Sequence, residues 1–198
     1  MRLTWLFLLI GCSTLVAADW RATRQLPASE AHQAAAAEGK FVYAITSRAV
    51  AKYDRASGKR VAVSTGAAKH LNSGFFWKGK LLCAHSNYPL KPERSEIKVL
   101  DTDSMKLATF KDFGNAGGSL VWALRKDGHW WCNFAHYGAD NAKTFLVKYD
   151  DQWREQARWT FPQKVIGQLG RYSLSGGIWR GDELWVTGHD DPVAFRLR

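Results

Sequence analysis

A chain of 198 residues is long enough for one domain with a substantial core or for a run of short repeats. Its formal net charge of +10 raises the question of nucleic acid, but the basic residues fall mostly at turns (Lys78, Lys80, Arg125, Lys126, Arg180) and at alternating strand positions. No helix-turn-helix, zinc-finger or RNA-binding signature accompanies them, so a nucleic-acid partner is not expected. Ten tryptophans, many at corresponding places in repeated segments, point instead to packing between stacked sheets.

Residues 1–18, MRLTWLFLLIGCSTLVAA, combine one basic residue, an apolar run over 3–10 and small residues at Ala17 and Ala18. That is the pattern of a signal peptide cleaved after Ala18, and its apolar run is too short to span a bilayer, so no transmembrane helix is expected in the mature chain. Leu9, Ile10, Gly11 and Cys12 also resemble a bacterial lipobox, a second reading in which Cys12 carries a lipid anchor. Both readings place the protein outside the cytoplasm, secreted or periplasmic.

Residues 19–29 are polar, and 20–26 alternate well enough to form one strand. Residues 30–39 contain an alanine run that in isolation favours helix. Aligning Gly39-Lys40 with Gly79-Lys80, however, sets His32 against Asn72 and residues 41–45 against the strand beginning at Leu81. A strand is therefore expected, since small residues suit the crowded innermost strand of a radial array.

The segment 70–89, HLNSGFFWKGKLLCAHSNYP, reads as two strands joined by a tight Lys78-Gly79-Lys80 turn, and related copies follow at 117–138 and 174–192. Each repeat has an inner strand with Trp77, Trp122 or Trp179 at a matching place, then an apolar second strand (FVYAIT, KLLCAH, HWWCNFAH, ELWVTGH). A third strand follows (VAKYD, IKVLD, FLVKYD, VAFRL), ending three times in Asp (Asp54, Asp101, Asp150) before turn formers, and an outer strand (KRVAV, KLATF, RWTF) closes the unit. Four short antiparallel strands recurring every ~40–50 residues predict an all-β, β-propeller-like array of about four blades, covering roughly 30–66, 67–114, 115–163 and 170–198. The last repeat lacks an outer strand, which 20–26 would supply in a small closed ring; the alternative is an open arc of a larger propeller. Cys83 and Cys132 fall in equivalent strands of neighbouring sheets, too far apart for a disulfide, and are expected to be buried free thiols.

HLNSG, CAHSNYP, the SLVW and WW…FAHY run, YDDQWR and SGGIW…VTGHD together resemble a group of secreted bacterial six-bladed propellers, some loosely labelled cycloisomerase or lyase. The resemblance covers roughly residues 30–198 and implies a propeller that stops short of the group's usual length. A more distant likeness runs to streptogramin-lyase and quinoprotein-dehydrogenase-like propellers. No catalytic residue is carried over from any of them.

In such a blade the start of the first strand and the end of the second open on one face, which gathers the candidate site. His85, His136 and His189 are expected to converge there, as ligands of a divalent metal completed by Asp190 or Asp191, or with Tyr172 as general acids and bases. His70, Asn72, Ser73, Asn87, Ser119, Tyr137, Ser175 and Asp190 are the expected ligand-binding groups. No CxxC, HExxH or GxSxG motif is present. The expected function is binding of a small polar or carbohydrate-like ligand, with metal-assisted lyase or cyclising chemistry as its enzymatic form. The alternatives are a non-catalytic recognition or scaffolding propeller acting on an envelope component, and an inactive truncated fragment.

Overall fold

The structure, a computed structural model, describes residues 22–198. The expected signal peptide, Cys12 and Trp20 lie outside the described residues. Four antiparallel sheets follow one another along the chain. The first blade is β1 (Ala34–Glu38), β2 (Phe41–Ile45), β3 (Val50–Asp54) and β4 (Arg60–Val63). The second is β5 (His70–Trp77), β6 (Lys80–Ser86), β7 (Ser95–Asp101) and β8 (Lys106–Gly114). The third is β9 (Ser119–Lys126), β10 (His129–Ala135), β11 (Phe145–Tyr149) and β12 (Glu155–Thr160). The fourth has three strands among the described residues: β13 (Gly176–Arg180), β14 (Glu183–Thr187) and β15 (Ala194–Leu197). Together they form a four-bladed β-propeller. The alanine run is strand, as the repeat alignment requires, because β2 pairs with it residue for residue from Ala34↔Ile45 to Glu38↔Phe41.

The middle strands are buried on both faces, which is why they read as continuous apolar runs. Along β6, Leu81 and Cys83 point into the core shared with the first blade, beside Ile45 and Val50. Leu82 and Ala84 point into the core shared with the third blade, beside Leu120 and Phe134. A further cluster, centred on the fully buried Trp122 with Leu174, Leu184 and Val186, joins the third blade to the fourth. Alternation within each strand thus becomes one apolar seam per pair of neighbouring blades. Among the described residues no apolar cluster joins the fourth blade to the first, and Ile178 on β13 is left 58% exposed.

Polar bonds lock the same seams. Ser95, fully buried, donates to the Gly118 carbonyl at 3.0 Å and accepts the Leu120 N–H at 2.9 Å. The three aspartates closing third strands act as turn caps. Asp54 Oδ1 accepts from Ser57 N–H and Oγ, Asp101 Oδ1 from Ser104 N–H and Oγ, and Asp150 Oδ1 from the Gln152 and Arg154 N–H groups. Cys83 and Cys132 are free and buried, on different seams.

Two expectations need correction. Residues 22–28 form no strand and do not close the fourth blade; Arg24 donates to the Ala56 carbonyl, and Ala28 packs on Ala44, Ala51 and Tyr53 of the first blade. Glu30, hydrogen-bonded to Tyr53 and ion-paired with Arg60, fastens this segment there. Nor are the three tryptophans equivalent. Trp77 ends its strand at the turn, opposite Lys80, whereas Trp122 sits mid-strand opposite Asn133. Two short helices, a 3-10 turn (Gly138–Lys143) and α1 (Gln163–Ile166), occupy connections that the repeat pattern left unread.

Candidate functional site

Inner strands begin, and second strands end, at one mouth of the propeller. There a cavity of about 410 Å³ is lined from all four blades: His32 and Gln33 from the first, His70, Asn72 and Tyr88 from the second, Val121 and Tyr137 from the third, and residues 172–175 with His189 from the fourth. Contributions from every blade put this cavity on the propeller axis.

A bulge builds its floor. The β5–β6 register slips between Leu71 and Gly74, so Asn72 and Ser73 leave the ladder and turn toward the next blade. Asn72 Nδ2 donates to the Leu120 carbonyl and Ser73 Oγ to the Val121 carbonyl, each at 3.1 Å. Gly74 allows the return to register, since a Cβ there would stand 2.8 Å from Ile45 Cδ1. On the far side Ser173 shares a 2.9 Å hydrogen bond with Thr144, and Ser175 donates to the Gly188 carbonyl at 2.9 Å.

Above the floor stands a collar of aromatic rings. Centroids lie 5.4 Å apart for His70 and Tyr88, 5.0 Å for Tyr88 and Tyr137, 5.8 Å for Tyr137 and Tyr172, and 4.6 Å for Tyr172 and His189. The four contacts join the five rings in one chain, from His70 round to His189. Burial, then the positive charge of His189, holds the His70 imidazole below its usual range. Burial pushes the Tyr137 phenol up to about 12, against the contact with buried Ser119 beneath it. Burial, then the hydrogen bond with Tyr172, raises Tyr88. Tyr88 and Tyr137 therefore stay protonated near neutrality. Asp190 braces the collar from behind: its Oδ2 accepts the Tyr172 N–H at 2.8 Å and its Oδ1 lies 3.4 Å from His189 Nδ1.

The structure thus brings His70, Asn72, Tyr137, Tyr172, Ser175 and His189 to one cavity, with Ser119 and Asp190 directly behind it. Ser73 serves the blade seam. Three expected residues are elsewhere. His85 is buried beneath the mouth: its Nε2 accepts the Lys69 N–H at 3.0 Å and its Nδ1 faces Glu96 Oε2 at 3.0 Å, with Lys98 on the same carboxylate oxygen at 2.9 Å. His136 lies off the axis in a smaller cleft with Lys91, Glu93 and Asp140. Asn87 is a loop staple, donating to the Pro92 carbonyl at 2.9 Å and accepting the Arg94 N–H at 2.8 Å.

The expected His85, His136 and His189 metal centre therefore does not form, and among the described residues no three His, Cys, Asp or Glu side chains are grouped to hold a metal. Counting from strand ends gives the reason. His85 is one residue before the end of β6, His136 one residue past the end of β10, and His189 two past the end of β14. Alternation separates His189 from the other two, and the Lys69 and Glu96 contacts hold His85 beneath the mouth while His136 enters the cleft beside Lys91. The same count finds what was missed. Tyr88, like Tyr137 and His189, lies two residues past the end of its blade's second strand, and all three line the cavity. His32 and Gln33 enter from the approach to β1, where only the alignment of His32 with Asn72 pointed to them.

No sequence-family model matches this chain, and no curated protein sequence is similar to it at a significant level. Solved structures do share its shape. The computationally designed Ika4 protein superposes with a TM-score of 0.52 at 8% identity, over 87% of this chain and 94% of that one. The β-propeller domain of Cps50 (Swd1) from Myceliophteria thermophila gives 0.50 at 12% identity, over 79% of this chain. This chain spans about half (48%) of that propeller chain. At such identities the likeness establishes the β-propeller fold alone. Among the described residues no helix is long and apolar enough to cross a membrane.

Proposed function

We propose that this protein is an exported β-propeller that binds a small, polar, ring-shaped ligand of carbohydrate type at the axial mouth. The observation that carries the reading is the collar: five rings, two imidazoles and three phenols, stand in a chain of successive contacts over a cavity of about 410 Å³ with a hydroxyl and amide floor. Such a wall offers apolar faces to the C–H surface of a sugar ring and hydroxyl, amide and imidazole groups to its edges, the mixture small-ligand sites use. Export is proposed on the composition of residues 1–18. A lyase or cyclising step would rest on His189, oriented by Asp190, as the proton-transferring group beside the Tyr172 phenol. Binding does not require that step.

The test is calorimetric titration of the purified protein with a panel of mono- and disaccharides, repeated on Tyr172→Ala. Removing one ring of the collar weakens binding by about tenfold, on the scale of an aromatic anchor. A sugar that binds with unchanged affinity to Tyr172→Ala, or a panel with no binder, overturns the reading.

A further inference from the structure

The walls of the mouth carry three imidazoles from three blades, His32, His70 and His189, and among the described residues no Asp, Glu, Lys or Arg lines the cavity. The carboxylates nearby already have partners. Asp190 accepts the Tyr172 N–H and lies beside His189 Nδ1. Glu96 behind His70 is held between His85 and Lys98, and Glu30 near His32 is tied to Tyr53 and Arg60. On the rim Glu93 pairs with Lys91, while Arg171 lies over the Tyr172 ring at 5.6 Å from its centroid. Of the three imidazoles Asp190 partners His189 alone, so protonating His32 and His70 gathers positive charge in a partly enclosed space whose lining holds no carboxylate. His70 and His189 repel one another as that charge builds.

We propose that the mouth is selective for acidic ring-shaped ligands, a sugar acid over the matching neutral sugar, with the ligand's carboxylate seated among His32, His70 and His189. The inference rests on the mouth being a ligand site and adds the chemical class of what it takes. The phenols of Tyr88 and Tyr137, held above their usual range, remain donors, so both ring and carboxylate find partners. A carboxylate placed between imidazoles that repel one another favours their charged forms, so binding takes up protons. The sign follows: the bound state holds its protons to higher pH than the free state, so the gain in affinity is full in acid and lost as pH rises through the imidazole range.

The experiment titrates the protein with glucuronate and with glucose at about pH 5 and about pH 8, either side of the histidine range, in buffers of differing ionisation enthalpy. Glucuronate is expected to bind about tenfold or more tightly at the lower pH, with proton uptake, as one imidazole's change of charge requires. Glucose binds more weakly and without pH dependence. His70→Gln combined with His189→Gln, and separately the exposed His32→Gln, flatten the glucuronate profile while urea unfolding stays cooperative. If glucose and glucuronate bind alike at both pH values, the acidic selectivity is wrong and the ligand site stands. If neither sugar binds at either pH, both readings fall.

Discussion

Gly177 of β13 lies against the indole of Trp122 in β9: a Cβ at the glycine would stand 3.0 Å from Cδ2 and 3.0 Å from Cε2 of that ring. Trp122 is completely buried, so it cannot move aside without disturbing the seam between the third and fourth blades. Gly177→Ala therefore overpacks this seam and costs about 1–3 kcal/mol. Urea unfolding measures it directly, and an alanine variant as stable as the parent would mean the inner strands pack more loosely than described.

His85 makes stability depend on pH. Its Nε2 accepts a backbone N–H, so the neutral ring carries its hydrogen on Nδ1, toward Glu96. Burial first, then the nearby Lys98 charge, holds the imidazole down at about 4, although Glu96 opposes this. The folded value lies below the unfolded value of about 6.5, so the unfolded chain takes up the proton first as pH falls. The contribution is complete above the unfolded value, drains away between about 6.5 and about 4, and is worth up to about 3 kcal/mol. Comparing urea unfolding at about pH 7 and about pH 4.5, His85→Gln loses less stability than the parent. Equal losses would place the imidazole in solvent.

Asn87 positions the collar without touching the cavity. It ties residues 87–94 into a compact loop that carries Tyr88. Asn87→Ala removes both bonds and lets Tyr88 drift from its places beside His70 and Tyr137. Sugar affinity falls about three- to tenfold, the worth of one or two exposed hydrogen bonds, while global unfolding shifts little. Near-ultraviolet circular dichroism separates this from a purely structural role: a displaced Tyr88 alters the tyrosine band and leaves the tryptophan fine structure in place.

The two thiols should be chemically silent in the folded protein. Both are fully buried, and burial pushes Cys83 up to about 12 and raises Cys132 as well. A thiol reagent at neutral pH therefore labels neither cysteine until denaturant is added, after which both react. Rapid labelling of the folded chain would contradict the packing of β6 or β10.

The blades were legible because each strand is buried by its own neighbours. The period, the turn glycines and the Asp caps at Asp54, Asp101 and Asp150 are local consequences of antiparallel pairing and appear wherever the motif is repeated. The mouth was legible as a face, because the direction of alternating strands decides which ends share it. His70, Tyr137, Tyr172, Ser175 and His189 follow from that rule alone. Its membership was not fully legible. Likeness of residue type made His85, His136 and His189 a set, while the even offset of His189 takes it to the axis and the neighbouring Lys69, Glu96 and Lys91 leave His85 inward and His136 sideways.

The amino-acid sequence by itself determined a radial stack of four-stranded blades, since period, alternation and turn chemistry act between residues close in the chain. Only the tertiary structure decided which rings meet. A one-residue slip at a bulge or strand end turns a side chain to the opposite face, and that slip is settled by packing between blades far apart in sequence.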